Sequence, residues 1–316
     1  MSYTVFVDGQ EGTTGLQIHD LLARRRDIEV LRIAPDLRKD NAERSRLLNA
    51  ADVVFLCRPD QAAREAASWV TNPRTCVIDA STAHRVDPAW VFGLPELAPG
   101  QRDALRQSKR ISNPGCHSTA FILLIRPLVD AGLIEADSAL SATSITGYSG
   151  GGRKMIEQYQ ARPMPERLGS PRPYGLALGH KHVPEMTRWA GLRTKPVFMP
   201  IVSSFYKGLT ISVPLHLSAI KSGADARSVH EALSKRYADE RFVRTMPLSD
   251  STALDGGYFD VQACNDTNRC ELFVFASVDQ AILMARLDNL GKGASGAAVQ
   301  SMNVHLGLDE GLGLVA

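Results

Sequence analysis

The chain has 316 residues, 44% of them hydrophobic and 22% charged, enough for two globular domains at the usual ~100–200 residues each. Its 36 basic and 34 acidic residues leave a formal charge of +2, which argues against the basic surface of a nucleic-acid binder. The longest apolar run, Ala120 to Ile125, is too short to span a bilayer.

Asp8 and Gly9 break the first apolar stretch, so it does not read as a signal peptide. Five cysteines at irregular spacing do not read as a disulfide framework. A soluble protein of the reducing cytoplasm is expected, with no membrane or nucleic-acid partner.

Up to residue 110, short apolar strands alternate with helical stretches. Tyr3–Asp8, Ile28–Ile33, Val53–Cys57 and Thr75–Asp79 are the strands, and Leu16–Arg24 and Gln61–Val70 are helical. Strands separated by helices predict parallel pairing in a doubly wound, Rossmann-like sheet. Their near-continuous apolar character suits a sheet covered on both faces. The Arg24–Arg25–Arg26 triplet, late in its helix, reads as a complement to the helix dipole.

The first strand runs into Gly9-Gln10-Glu11-Gly12-Thr13-Thr14-Gly15. This glycine spacing at the head of a helix permits close approach of a pyrophosphate, held at the helix N-terminus. Past the second strand, Asp36 stands where an acid would hold the ribose of NAD. Arg38 and Lys39 follow at once and would welcome the 2′-phosphate of NADP. These residues alone leave both cofactors open.

After Pro114 the texture changes. Phe121, Leu124, Ile125, Leu128 and Val129 recur at helical spacing and predict a helix with one buried face, with Pro127 inside it. Strands then dominate at Leu140–Thr146, Val197–Tyr206, Leu209–Leu217, Phe259–Ala263, Glu271–Val278 and Ala281–Leu287. Arg153–Gln160 and Ala226–Tyr237 read as helices, and Gly293–Leu306 is helical again. The expected division is a dinucleotide-binding domain over residues 1–114, completed by 290–316, and an α+β catalytic domain with a mixed sheet over 115–289.

Cys116 lies in Ser112-Asn113-Pro114-Gly115-Cys116-His117-Ser118-Thr119, at the start of the predicted helix. Free N–H groups and the dipole there favour a thiolate, the nucleophile needed to take up an activated acyl group. Cys57, Cys76, Cys264 and Cys270 sit in apolar or strand-like settings and read as small buried hydrophobes.

Gly179-His180-Lys181-His182-Val183-Pro184-Glu185 places two imidazoles on one side of an extended segment. No third ligand stands at a recognisable spacing, so no metal is expected. Acid–base work on a collapsing thiohemiacetal is the better use of the pair.

Several motifs occur in one order: VDGQEGTTGLQI, DASTAHR, FGLPEL, SNPGCHST, TGYSGGGRKM, GHKHVPEM and DNLGKGASGAAVQ. Together they resemble the short variety of the N-acetyl-gamma-glutamyl-phosphate reductase family over nearly the whole chain. The resemblance implies an NADPH-dependent reductase of arginine biosynthesis that acts through a cysteine thioester. It implies that Gly9, Gly12, Thr13, Thr14 and Gly15 hold the cofactor, joined by Arg38, Ser81, Gly150, Gly151, Asn289 and Gly291. Cys116 would be the nucleophile and His182 the acid–base, with His180 close to substrate. Arg85 would grip the leaving phosphate, with Asn113, Ser149 and Glu185 also on the substrate.

A small acyl phosphate and a homo-oligomer, dimer or tetramer, are the partners so implied. Two stretches depart from the family wording: His117-Ser118, where Tyr-Pro is common, and Ser203–Gly208. Neither is expected to touch the nucleophile or the paired histidines. Two rival readings are a sister enzyme of the aspartate-semialdehyde or carrier-bound acyl-phosphate type, and a non-catalytic dinucleotide sensor.

Overall fold

The computed structural model describes residues 2–9 and 12–316; Gln10 and Glu11 of the glycine loop lie outside the described residues. Two compact units emerge. One is the chain up to Gly115 with Ala294–Leu314, the other Cys116–Gly293 with Val315–Ala316. Among the described residues, no helix is long and apolar enough to cross a membrane.

The first unit is a parallel sheet. Its strands are β1 (Tyr3–Asp8), β2 (Ile28–Leu31), β3 (Val53–Leu56), β4 (Cys76–Asp79), β5 (Val91–Phe92) and β6 (Arg110–Ser112), in spatial order β2-β1-β3-β4-β6-β5. The helices are α1 (Thr13–Ala23), α2 (Asn41–Ala50), α3 (Asp60–Ser68) and α4 (Gln101–Gln107). β3 and β4 are buried along their whole length, as two covered faces require. Val5, Val7, Phe55 and Ile78 pack into one core cluster; Phe6, Val54, Leu56 and Val77 pack into another. The C-terminal helix Gly296–His305 adds Ala298, Val299 and Met302 to the first of these.

The basic triplet does not serve the dipole as expected. α1 ends at Ala23, and Arg25 is buried beyond it. Arg25 forms a two-pronged pair with Asp27 at 2.8 and 2.6 Å, and its Nη1 donates to Asn303 Oδ1 at 2.8 Å and to the Leu312 carbonyl at 3.0 Å. One guanidinium thus ties the start of the unit to its C-terminal segment, a role the planar fork suits.

The second unit is built on a mixed sheet. Its strands are β7 (Ser141–Gly147), β8 (Arg172–Pro173), β9 (Val197–Ser203), β10 (Leu209–His216), β11 (Val243–Thr245), the small hairpin β12 (Leu254–Asp255) and β13 (Tyr258–Phe259), then β14 (Cys270–Ala276) and β15 (Gln280–Leu287). The large sheet runs β11-β14-β15-β10-β7-β9-β8. The helices are α5 (Cys116–Asp130), α6 (Gly152–Gln160), α7 (Val183–Trp189) and α8 (Ala226–Arg236). The strand expected over Phe259–Ala263 stops at Phe259, because the Asp260 carboxylate accepts the Gln262 N–H and turns the chain.

The helix expected to bury one face is instead buried throughout its first part: His117 to Ile125 are all inaccessible. α5 packs on β10 and β15 beneath it and on α7 and α8 beside it. The opposite sheet face shows Val197, Met199 and Ile282 to solvent. Alternation along each strand enforces that division.

Replacing Arg25 with Met should lower the unfolding free energy by about 2–4 kcal/mol, since Asn303 and the Leu312 carbonyl lose a buried partner. Denaturant titration checks this, and an unchanged midpoint would show that the clamp contributes nothing.

Candidate active site

Cys116 is the first residue of α5 and is partly accessible, so its sulfur stands where unpaired helix N–H groups favour an anion. Gly293 lies against it. A Cβ on Gly293 would stand 2.7 Å from the Cys116 Cβ, so glycine leaves the room the cysteine needs. Cys76 and Cys264 are different in kind: burial pushes their thiols up to about 12 and about 11, and burial raises Cys57 as well.

The two histidines do not lie in an extended segment. Pro184 opens α7, His182 is its N-cap in helical conformation, and a turn closes from the Val183 N–H to the His180 carbonyl. The rings still meet, edge to face, with centroids 4.8 Å apart. The His182 backbone N–H donates to His180 Nδ1 at 3.2 Å. Neutral His180 therefore carries its proton on Nε2. The Glu185 carboxylate is buried 4.0 Å from His182 Nε2.

His117, expected to stand apart, joins this cluster. Its ring lies 5.3 Å from that of His182 and 5.6 Å from that of His180. Donor atoms of Cys116, His117 and His182 all lie within 4.8 Å of one another. The sequence offered no third ligand at metal spacing; the fold brings the donor atoms of Cys116 and His117 beside His182 from the head of another helix.

The His117 tautomer follows from its neighbours. Ser144 Oγ donates its one proton to the Thr210 carbonyl at 2.8 Å. The 2.9 Å contact between Ser144 Oγ and His117 Nδ1 must then be donated by the imidazole. His117 Nε2 is left as an acceptor and receives the Tyr174 hydroxyl at 3.2 Å. Burial first, then electrostatic repulsion from His180 and Lys181, pushes His117 down to about 3. Burial and the neighbouring Cys116 sulfur hold the Tyr174 phenol above its ordinary value. Ser144 and Tyr174 carried no motif in the sequence and were missed.

The Ser149 loop follows β7. Ser149 Oγ accepts from Asn289 Nδ2 at 2.9 Å, and Asn289 Oδ1 accepts the Gly208 N–H at 2.8 Å. The Ser149 N–H donates to the Tyr206 carbonyl, so the departing Ser203–Gly208 stretch braces this loop. Gly150 lies beside Asn289, and Gly151 precedes α6. Gly291 opens the turn into the C-terminal helix.

In the first unit, Gly9, Gly12, Asp36, Arg38 and Lys39 line a cavity of about 440 Å³. Gly9 has φ +98°, and a Cβ there would stand 2.4 Å from the Cys57 carbonyl oxygen, so this position requires glycine. Gly12 caps α1, Thr13 and Thr14 form its first turn, and Gly15 is buried. This cradle with cations on its rim fits a dinucleotide. Arg58, missed in the sequence, also lines it and pairs with Asp8 at 3.2 Å.

Three further expected residues belong to the first unit. Ser81 donates to the buried Asp79 carboxylate, which also pairs with His84 at 2.6 Å. Its hydroxyl thus shapes the loop after β4. Arg85 is buried in that loop and donates to the Ala80 carbonyl at 3.3 Å. Asn113 donates to the Ala294 carbonyl at 3.0 Å, while its Oδ1 makes no hydrogen bond.

Residues 4–107 match the family described as "Semialdehyde dehydrogenase, NAD binding domain", and residues 116–289 match "Semialdehyde dehydrogenase, dimerisation domain". The chain is 44% identical to N-acetyl-gamma-glutamyl-phosphate reductase 2 of Nostoc sp., covering 98% of both chains. It is 45% identical to N-acetyl-gamma-glutamyl-phosphate reductase of Burkholderia cenocepacia, over 96% of this chain and 97% of the relative. Aspartate semialdehyde dehydrogenase II from Vibrio cholerae shares the fold, with a TM-score of 0.73 at 14% identity, over 97% of this chain and 98% of that one.

His117 supplies a pH signature. Its folded value of about 3 lies below the ordinary 6.5, so its contribution to stability is intact above pH 6.5 and fades as pH falls towards 3. A His117→Phe variant should unfold with a weaker pH dependence than the parent across that window, read by denaturant titrations at several pH values. Parallel curves would show that the imidazole is not held neutral.

Proposed function

Because the chain belongs to the N-acetyl-gamma-glutamyl-phosphate reductase family, we propose that it reduces N-acetyl-gamma-glutamyl phosphate to N-acetylglutamate 5-semialdehyde, in the cytoplasm, for arginine biosynthesis. The observation that carries this reading is the Cys116 sulfur at the head of α5, within 4.8 Å of donor atoms of His117 and His182. The two units then divide the labour, the first holding the cofactor and the second the covalent chemistry.

The Cys116 thiolate attacks the acyl carbon, a C–S bond forms, and the bond to phosphate oxygen breaks. Arg85 is assigned the departing phosphate, which its guanidinium fork suits. When bound, NADPH supplies the hydride that turns the thioester into a thiohemiacetal. His182 gives a proton to the oxygen of that adduct and takes it back as the C–S bond breaks, so that aldehyde and thiolate are released. The buried Glu185 carboxylate near His182 favours the imidazolium formed in that step. His180 has Nε2–H to donate, and it holds substrate.

The cofactor is assigned to Gly9, Gly12, Thr13, Thr14 and Gly15 in the first unit, and to Ser149, Gly150, Gly151 and Asn289 of the second unit on the nicotinamide side. Arg38, Lys39 and Arg58 around one cavity favour NADPH over NADH. The sheet face opposite α5, with Val197, Met199 and Ile282 exposed, is where a second copy of the chain would pack, since an apolar face of this kind is rarely left to solvent.

The decisive assay runs the reaction in reverse with N-acetylglutamate semialdehyde, phosphate and NADP, against aspartate semialdehyde. Reduction of NADP is expected with the first aldehyde; reduction with the second alone would overturn the substrate. Cys116→Ser should abolish turnover, and His182→Asn should lower kcat by about 10²–10⁴. Intact turnover in the serine variant would end the thioester route. Arg38→Ser should raise KM for NADPH about tenfold and leave that for NADH nearly unchanged, as expected on losing one charge-assisted phosphate contact. Equal changes in both would remove Arg38 from the 2′-phosphate site.

A further inference from the structure

We propose that Cys116, His117 and His182 together form a three-ligand site for a soft divalent cation of the zinc class, which silences the chain reversibly by coordinating its sulfur. The silencing rests on Cys116 being the acyl-accepting nucleophile; the binding itself does not.

One thiolate and two neutral imidazoles are the donor set that zinc prefers, whereas magnesium and calcium call for oxygen. The donor atoms lie within 4.8 Å of one another. Bonds of about 2.0–2.3 Å in a tetrahedron put ligands about 3.3–3.7 Å apart, so side-chain rotation by about 1 Å closes the site. The fourth position stays open to water. The partly accessible cysteine gives an ion its way in.

His117 is prepared as a ligand in the manner of designed and natural zinc sites. Its Nδ1–H is anchored through Ser144 Oγ to the Thr210 carbonyl, both residues buried in the sheet. This outer chain sets the tautomer, orients the ring and leaves the Nε2 lone pair for a metal. Its present occupant is the hydroxyl of Tyr174, a partly exposed residue just after the short strand β8, at 3.2 Å. That contact is long, and an arriving cation can displace it. The buried Glu185 carboxylate, 4.0 Å from His182, adds negative charge next to the ion.

The test uses the full chain and Co²⁺ as a spectroscopic stand-in for Zn²⁺. Metal-free protein titrated with Co²⁺ should bind one ion, with tetrahedral d–d bands and a thiolate-to-cobalt charge-transfer band, both erased by Zn²⁺. Cys116→Ser should lose the charge-transfer band. Ser144→Ala, which keeps all three ligands, should weaken binding about 10- to 100-fold, and His117→Phe should weaken it at least as much. In parallel, Zn²⁺ should slow iodoacetamide labelling of Cys116, read by peptide mass spectrometry, while the other four thiols serve as controls.

Cobalt bound without the thiolate band, or affinity indifferent to both His117→Phe and Ser144→Ala, overturns the site. Should the chain prove to have no reductase turnover, the band and the protection of Cys116 would still appear. Loss of turnover with zinc but without the band would assign the inhibition elsewhere.

Discussion

A buried helix that starts with polar side chains must find partners for them inside the protein, and that constraint organises the second unit. α5 is enclosed by β10, β15, α7 and α8, and its first turn carries Cys116, His117, Ser118 and Thr119. An imidazolium in such a place would cost far more than a neutral ring, which is why His117 stays uncharged. Neutrality in turn demands one donor and one acceptor around it. Ser144 and Tyr174 meet that demand, and so a sheet strand and the segment after the edge strand β8 are bound to the helix that begins at Cys116.

The same accounting distinguishes the paired histidines. The backbone N–H of His182 occupies Nδ1 of His180, which leaves His180 a donor at its other nitrogen. His182 has a buried carboxylate at 4.0 Å and shares a small volume with the sulfur. A residue that must gain and then lose a proton profits from a neighbour that steadies its charged form; a residue that only holds a substrate oxygen profits from a locked tautomer. In the mechanism proposed above, two imidazoles two positions apart thus take different tasks because the turn before α7 aims them differently.

Much of the architecture was legible in the chain. The strand pattern of the first unit, the helix beginning at Cys116 and the β10, β14 and β15 strands follow from alternation and apolar runs, which are local signals. The sharpest losses were non-local. Arg25 looked like a dipole partner because its real partners, Asn303 and Leu312, lie at the other end of the chain. His117 looked like a change of wording next to Cys116, because nothing in SNPGCHST reveals that Ser144 and Tyr174 will close around it. Phe259–Ala263 read as a strand from composition, and one aspartate side chain overrode it.

Spacing rules for metal sites do not register such a cluster of donors, for a related reason. They recognise ligands that one loop or one helix can present together, such as pairs three or four residues apart on a helix. In this fold one pair of donors comes from consecutive residues at the head of α5 and the third from the cap of α7, two helices that pack side by side. Consecutive residues on a helix point about 100° apart, so Cys116 and His117 cannot both face a site along the helix flank. At the helix end they can converge, because His117 turns into the core towards Ser144 while Cys116 stays at the accessible edge. A helix start that is half exposed and half buried can therefore bring a thiol and an imidazole from neighbours in sequence towards a third donor, and only the packing around it reveals the cluster.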